Sequence, residues 1–259
     1  MSLPNESIKQ IENTIKSCLL NKFQNFKPEA NNMPFHFRLL GKDRMALYSF
    51  IHSLNTSFGT SIFEPVAVAL AKTRFAEAHH QYVVGNQISQ EAQKVIQDII
   101  NDLSVGGSNS NEAAETEKIR AASQKGKMNA LKVVKADLFM QDKRGTIYLF
   151  DLKTAKPNAS GFKDHKRTLL EWRAITFAQN PQADVKSLIA IPYNPYEPQP
   201  YERWTMKGML DLQQELKVAS EFWDFLGGQG AYEDILNCFE RVGIELRPEI
   251  DGYFKKFKN

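Results

Sequence analysis

The sequence predicts an α/β fold in which a small mixed β-sheet lies between helical layers. Three observations carry this. Helical periodicity dominates residues 7–103. Two strand-like segments, 131–140 and 146–153, then meet at the turn Asp142-Lys-Arg-Gly145. Helical patterns resume at Lys163 and are interrupted by a short buried-strand candidate at 187–192. A chain of 259 residues is long enough to bury a sizeable core. It shows no internal repeat and no clear linker, so a single domain over 1–259 is expected.

Each element has a local reason. Residues 7–23 place Ile8, Ile11, Ile15, Leu19 and Leu20 at helical spacing. Residues 24–32 read as a loop, 43–54 as a second helix and 56–60 as a break. Ser61-Ile-Phe-Glu64 has the capping-box pattern, and Pro65 fits a first helical turn, so a third helix is expected to about Ala78. Residues 89–103 form a fourth helix with Ser89 as its cap. Residues 105–111 are rich in Gly, Ser and Asn and read as a loop, and 112–123 as a polar helix with little core face. Beyond the hairpin, 163–178 is helical with a broad apolar face. Residues 194–200 form a Pro- and Tyr-rich loop, 206–225 and 232–242 are further helices, and Gly227-Gly228 stops the first of them. The tail from Pro248 is basic and aromatic.

At 42% hydrophobic and 24% charged, the composition is that of an ordinary globular chain. No apolar run approaches the roughly 20 residues that cross a bilayer, so no membrane partner is expected. No basic region precedes an apolar stretch and a small-residue cleavage site, so no signal peptide is expected. Cys18 and Cys238 stand alone in helix-like patterns, which argues against a zinc site and for free thiols in a reducing cytoplasm. The net charge of +3 is mild, but the basic residues are grouped. Lys153, Lys156, Lys163, Lys166, Arg167 and Arg173 make one dense stretch. Lys118, Arg120, Lys125, Lys127, Lys132 and Lys135 make another. Clustering of this kind is what a nucleic-acid partner requires.

Both basic stretches abut two aspartates set in apolar strands. Lys135-Ala-Asp137-Leu-Phe precedes the turn, and Tyr148-Leu-Phe-Asp151-Leu-Lys153 follows it. Strand alternation puts Lys135 and Asp137 on one face, and Asp151 and Lys153 on one face of the next strand. In a hairpin, Asp137 and Asp151 lie at comparable distances from the turn and can share a cation. Hard oxygen ligands suit Mg²⁺, which commonly takes one or two carboxylates plus phosphate and water. The structural alternative is a set of surface ion pairs with Lys135 and Lys153. His79, His80 and His165 lack metal-ligand spacing and read as structural or surface residues. Thr154 and Asn158 read as loop residues with hydrogen-bonding side chains.

Asp137, thirteen intervening residues, then Asp151-Leu-Lys153 resembles the PD-(D/E)xK nuclease core, with Ala136 where the motif's name has proline. Phe150-Asp-Leu-Lys-Thr-Ala-Lys-Pro-Asn158 with Lys135-Ala-Asp-Leu-Phe139 is more narrowly similar to TdeIII-type type II restriction endonucleases. The resemblance implies a restriction-endonuclease-like core over about 60–192, with helical elaborations at either end. It implies a type II enzyme that uses Mg²⁺ to cleave double-stranded DNA at a short site, GGNCC-like in the narrower reading. Asp137 and Asp151 would bind metal and Lys153 would assist the attacking water. A third acid would come from a helix before the first strand, with Glu64 the first candidate and Glu77 the second. The capping box gives Glu64 a competing structural task. Lys135, Lys156, Lys163, Lys166 and Arg167 are the expected phosphate contacts. A palindromic site would call for a homodimer. Two other classes stay open: a repair, recombination or transposon-associated nuclease on the same core, and a non-catalytic DNA-binding module.

Overall fold

The computed structural model describes residues 3–26, 33–153, 161–202 and 208–255. The chain opens with three helices, α1 (Asn5–Asn25), α2 (Pro34–Leu40) and α3 (Lys42–Phe58). A π-helical turn, Gly59–Phe63, joins α3 directly to α4 (Glu64–Ala71). There follow β1 (Glu77–Ser89), α5 (Gln90–Ser104), α6 (Glu112–Ala122), β2 (Met128–Gln141) and β3 (Ile147–Leu152). The remainder is α7 (Phe162–Gln179), β4 (Val185–Ile191), β5 (Leu216–Val218), α8 (Ser220–Gly227), α9 (Ala231–Glu245) and α10 (Arg247–Lys255).

The five strands form one mixed sheet in sequence order. β1, β2 and β3 are antiparallel, and β3, β4 and β5 run parallel. This is the α/β architecture read from the sequence. The hairpin turn is an Asx-turn: Asp142 Oδ1 accepts from Arg144 N at 2.8 Å and Thr146 N at 2.9 Å, and Gly145 takes φ +92°. Strand alternation divides the two helical layers. Phe150 meets Phe222 and Phe225 of α8, while neighbouring Asp151 turns toward His165 of α7. Helices α5, α6 and α7 make one layer, and α1, α4, α8 and α9 the other. Gly85 lets α7 approach β1, since a Cβ there would stand 2.6 Å from Ile175 Cγ2.

Ser89 caps α5 as expected, its hydroxyl accepting from Ala92 N at 3.0 Å. Ala92, Ile96, Ile99, Ile100 and Leu103 face inward. α8 ends at Gly227, with Gly228 at φ +98°. Both cysteines are free.

Four expectations are corrected. The break at 56–60 does not exist, because the helical chain passes through the π-turn. The third helix stops at Ala71, and Glu77 begins β1. That strand lies at the sheet edge and is largely polar, which hid its period. The helix expected over 206–225 is replaced by the three-residue β5 and by α8, with 203–207 outside the described residues. α6 has more core face than expected of a polar helix: Glu112 and Glu115 are buried along with Ile119 and Ala122. The loop expected at 24–32 falls largely on residues outside those described.

Candidate active site

Two strands and one helix start position the acidic residues. The β2–β3 register pairs Leu138 with Phe150, so one step further from the turn brings Asp137 opposite Asp151. Asp137 Oδ2 accepts from Leu152 N at 2.8 Å, a bond that fixes the carboxylate to the neighbouring strand. The two carboxyl groups are close enough to hydrogen-bond, and Asp151 is buried. Lys153 leaves β3 with its own N–H donating to Ala190 O of β4 at 2.9 Å. Its ammonium Nζ lies 2.6 Å from Asp151 Oδ1. The convergence read from strand parity is therefore present.

Glu64 comes from the first residue of α4, with only 2% of its surface exposed. The capping box is a further correction. Ser61 lies inside the π-turn, Phe63 is helical, and no side chain caps α4. The partner of Glu64 is Gln81 of β1, whose Nε2 donates to Oε2 at 2.9 Å and Oε1 at 3.2 Å. His80 Nδ1 stands 3.8 Å from Glu64 Oε2, too far for a hydrogen bond. Glu77 is four residues before Gln81 on the strand, with its carboxylate mostly exposed beside His79.

The electrostatics follow from crowding carboxylates into a partly dry place. Burial pushes Glu64 up to about 7. The Gln81 hydrogen bond opposes that rise and the Asp137 charge adds to it. Burial also raises Asp137, to about 6, helped by the Asp151 charge and opposed by Leu152 N–H and Lys153. His165 Nδ1 lies 3.7 Å from Asp151 Oδ2. Burial holds its pKa below the usual histidine range, and the Lys153 charge lowers it further.

Among the described residues, no group of three or more His, Cys, Asp and Glu side chains is placed to hold a metal ion by itself. The aspartate pair is the donor set for a hard cation. Its chemistry fits: acid oxygens, mutual repulsion that a cation would relieve, and a number of carboxylates that Mg²⁺ commonly takes. Glu64 feels the charge of Asp137 without joining a three-ligand cluster.

The basic residues divide sharply. Lys135 and Lys163 are exposed, and Arg167 is half-buried, donating from Nη2 to Gln97 Oε1 at 2.7 Å. Lys156, with Thr154 and Asn158, lies outside the described residues. Lys166 is corrected: it is fully buried and cannot meet a phosphate. Its ammonium is bonded to Glu115, to both oxygens of Glu215 at 2.8 and 2.7 Å, and to Ser110 Oγ at 2.8 Å. Arg173 is buried beside it, donating to Glu215 Oε1 at 2.7 Å. Buried charges persist where they are paired and hydrogen-bonded, and these tie α6, α7 and the approach to β5 together. The sequence reading missed this cluster, as it missed Gln81 and the place of His165. A lysine in a basic stretch carries no mark of burial, and Gln81 has no meaning until β1 is in register.

The family model described as type II restriction endonuclease, HinfI, matches residues 3–243, a span that includes Glu64, Gln81, Asp137, Asp151 and Lys153. The chain is 27% identical over 258 residues to the type II restriction enzyme MjaII of Methanocaldococcus jannaschii, covering 88% of this chain and 68% of that one. It is 27% identical over 221 residues to the type II restriction enzyme HgiEI of Herpetosiphon aurantiacus, covering 84% and 79%. The type II restriction enzyme HgiCII of the same organism is 28% identical over 225 residues, covering 84% and 80%.

Proposed function

Because the chain belongs to the HinfI family of type II restriction endonucleases, site-specific deoxyribonucleases acting on double-stranded DNA, we propose that Asp137, Asp151 and Lys153 are its cutting centre and Mg²⁺ its cofactor. Family membership speaks against the two classes left open by the sequence, a nuclease of another system and a non-catalytic module. One observation carries the proposal: Asp137 and Asp151 face each other across β2 and β3, with the Lys153 ammonium 2.6 Å from Asp151. That arrangement supports a PD-(D/E)xK centre.

Bound at the aspartates, Mg²⁺ would supply a Lewis acid that acidifies water and offsets phosphate charge. The protein's own part is positioning. Leu152 N–H holds Asp137 in place, and Asp151 is fixed within β3 between two neighbouring strands. Lys153 orients the attacking water or stabilises the charge that grows on the phosphate. Glu64 would be the further acid that helps the aspartates hold the metal. Lys135, Lys156, Lys163 and Arg167 neutralise backbone phosphates on either side.

The whole chain acts as one nuclease domain, supported by a continuous core that runs from Leu3 to Leu246. It works as a homodimer in the cytoplasm, because one centre cuts one strand and a palindrome presents two. The likeness of Phe150 to Asn158 to TdeIII-type enzymes supports a GGNCC-like site.

The test is plasmid digestion with Mg²⁺, followed by sequencing of the fragment ends. Wild type gives discrete fragments with a common end sequence, and Asp151→Ala and Lys153→Ala give none. Random ends would overturn the site-specific reading. Fragments from both variants would overturn the assignment of the centre.

A further inference from the structure

The backbone of β1 departs from a regular strand at one residue of this site. Gln81 has φ +51°, in the left-handed region that a residue bearing a Cβ seldom enters. Its neighbours pair normally, His80 with Leu138 and Tyr82 with Ala136. Gln81 and Asp137 are therefore the positions skipped between them. On the other side, the Asp137 carboxylate accepts from Leu152 N. Left-handed backbone within a strand is a cost that persists only where surroundings enforce it, and such strain gathers at working sites. The benefit here is visible: the turn carries the Gln81 amide onto both oxygens of buried Glu64.

We infer that Gln81 is a positioning residue which aims the Glu64 carboxylate at the Asp137–Asp151 pair, and that β1 is kinked to allow it. The inference rests on the proposed place of Glu64 in the metal shell. An amide suits this task because it donates without bringing charge. A lysine would neutralise Glu64 and compete with a cation. A glutamate would add a fourth acid where Asp137 already repels Glu64. One amide nitrogen in contact with both oxygens also restricts rotation about the final carboxylate torsion, which is otherwise broad. Gln81 is thus the hydrogen-bonding partner of a proposed metal ligand, and loss of such a partner typically weakens metal affinity or activity by about 10–100-fold.

The experiment is a Mn²⁺ binding titration of the full-length protein, followed by electron paramagnetic resonance of the free ion. It compares wild type, Gln81→Met, Gln81→Gly and Glu64→Gln, with thermal melts and metal-free DNA binding measured alongside. Gln81→Met keeps the side chain's bulk without the donor, and Gln81→Gly relieves the positive φ. Mn²⁺ affinity is expected to fall by roughly tenfold or more in both, with metal-free DNA affinity unchanged. The Gly variant is expected to melt no lower than the Met variant. Wild-type Mn²⁺ affinity in both, while Glu64→Gln is weakened, would overturn the role of Gln81 and leave that of Glu64 standing. Wild-type affinity in Glu64→Gln would overturn the reading beneath it. Loss of DNA binding with Mn²⁺ affinity intact would assign Gln81 to the DNA and also overturn the inference.

Discussion

Glu64 and Asp137 each hold a proton to a higher pH than an exposed carboxylate would, and this links metal binding to pH. A cation binds the deprotonated oxygens, so binding must release whatever protons the site retains. With Asp137 near 6 and Glu64 near 7, apparent Mn²⁺ affinity should climb between pH 5.5 and 7.5 and level off above. A titration flat across that range would contradict the account. Stability of the metal-free protein should run the other way. From about pH 4, where an exposed aspartate ionises, the folded form keeps a proton that the unfolded chain has lost. Stability therefore falls as pH rises through 6 toward 7. Asp137→Asn removes the repulsion and should raise the melting temperature at pH 8 while abolishing cleavage. A melting temperature that drops at pH 8 would show that Asp137 stabilises the fold instead. The four residues of the site were legible to different degrees. Asp137, Asp151 and Lys153 stood out because strand parity and hairpin distance converge on them. Glu64 was visible only as a choice between two roles, and the π-turn that removes the cap has no clear sequence signature.

Among the elements, α7 shows where sequence reading succeeds and where it fails. Its apolar face was plain from Leu169, Leu170, Trp172, Ile175 and Phe177. Its basic residues looked alike, yet Lys166 and Arg173 are buried while Lys163 is exposed. Partners for Lys166 lie about fifty residues away in either direction, on α6 and before β5. Local pattern cannot report such pairing. The two classes of lysine should behave differently. Lys166→Met leaves buried Glu115 without its cation and Glu215 with Arg173 alone, a loss of about 3–5 kcal/mol. A drop of roughly 10 °C in the melting temperature is expected. Lys163→Met should leave the melt unchanged and weaken DNA binding, with a shallower salt dependence. Equal melts for the two variants would contradict the buried cluster. β1 was missed because it is a largely polar edge strand whose few buried apolar residues, Ala78, Val84 and Ile88, are too widely spaced to give a period-two signal. Its Gly85 is a further check. Alanine there meets Ile175 of α7 in a backbone setting that alanine rarely adopts, so the melt should fall.

At the scale of the whole molecule, the mixed sheet brings distant stretches to one end. β3 runs parallel to β4, so Asp151 and Lys153 lie at the strand ends where α/β sheets open. α4, from the opposite layer, delivers Glu64 to the same place, and β1 delivers Gln81. The order of helices and strands made the fold class readable, because a hairpin followed by helix and strand forces a mixed sheet. The contributions of α4 and β1 depended on long-range packing that no local window contains. The proposed homodimer is a property of this scale. Sedimentation velocity should give about twice the mass of the 29.5 kDa chain at micromolar concentration. A single 29.5 kDa species that still cuts both strands in one encounter would contradict it.

In the proposed division of labour, the facing aspartates and Lys153 cut DNA while the rest of the protein holds it. Single-turnover cleavage of a labelled duplex bearing the mapped site tests this directly, with Asp151→Asn compared to wild type and binding measured separately without metal. Duplex affinity is expected to be unchanged and the cleavage rate lower by about a thousandfold or more, given the magnitudes that metal and acid–base contributions reach. Cleavage by Asp151→Asn at the wild-type rate would contradict that division of labour.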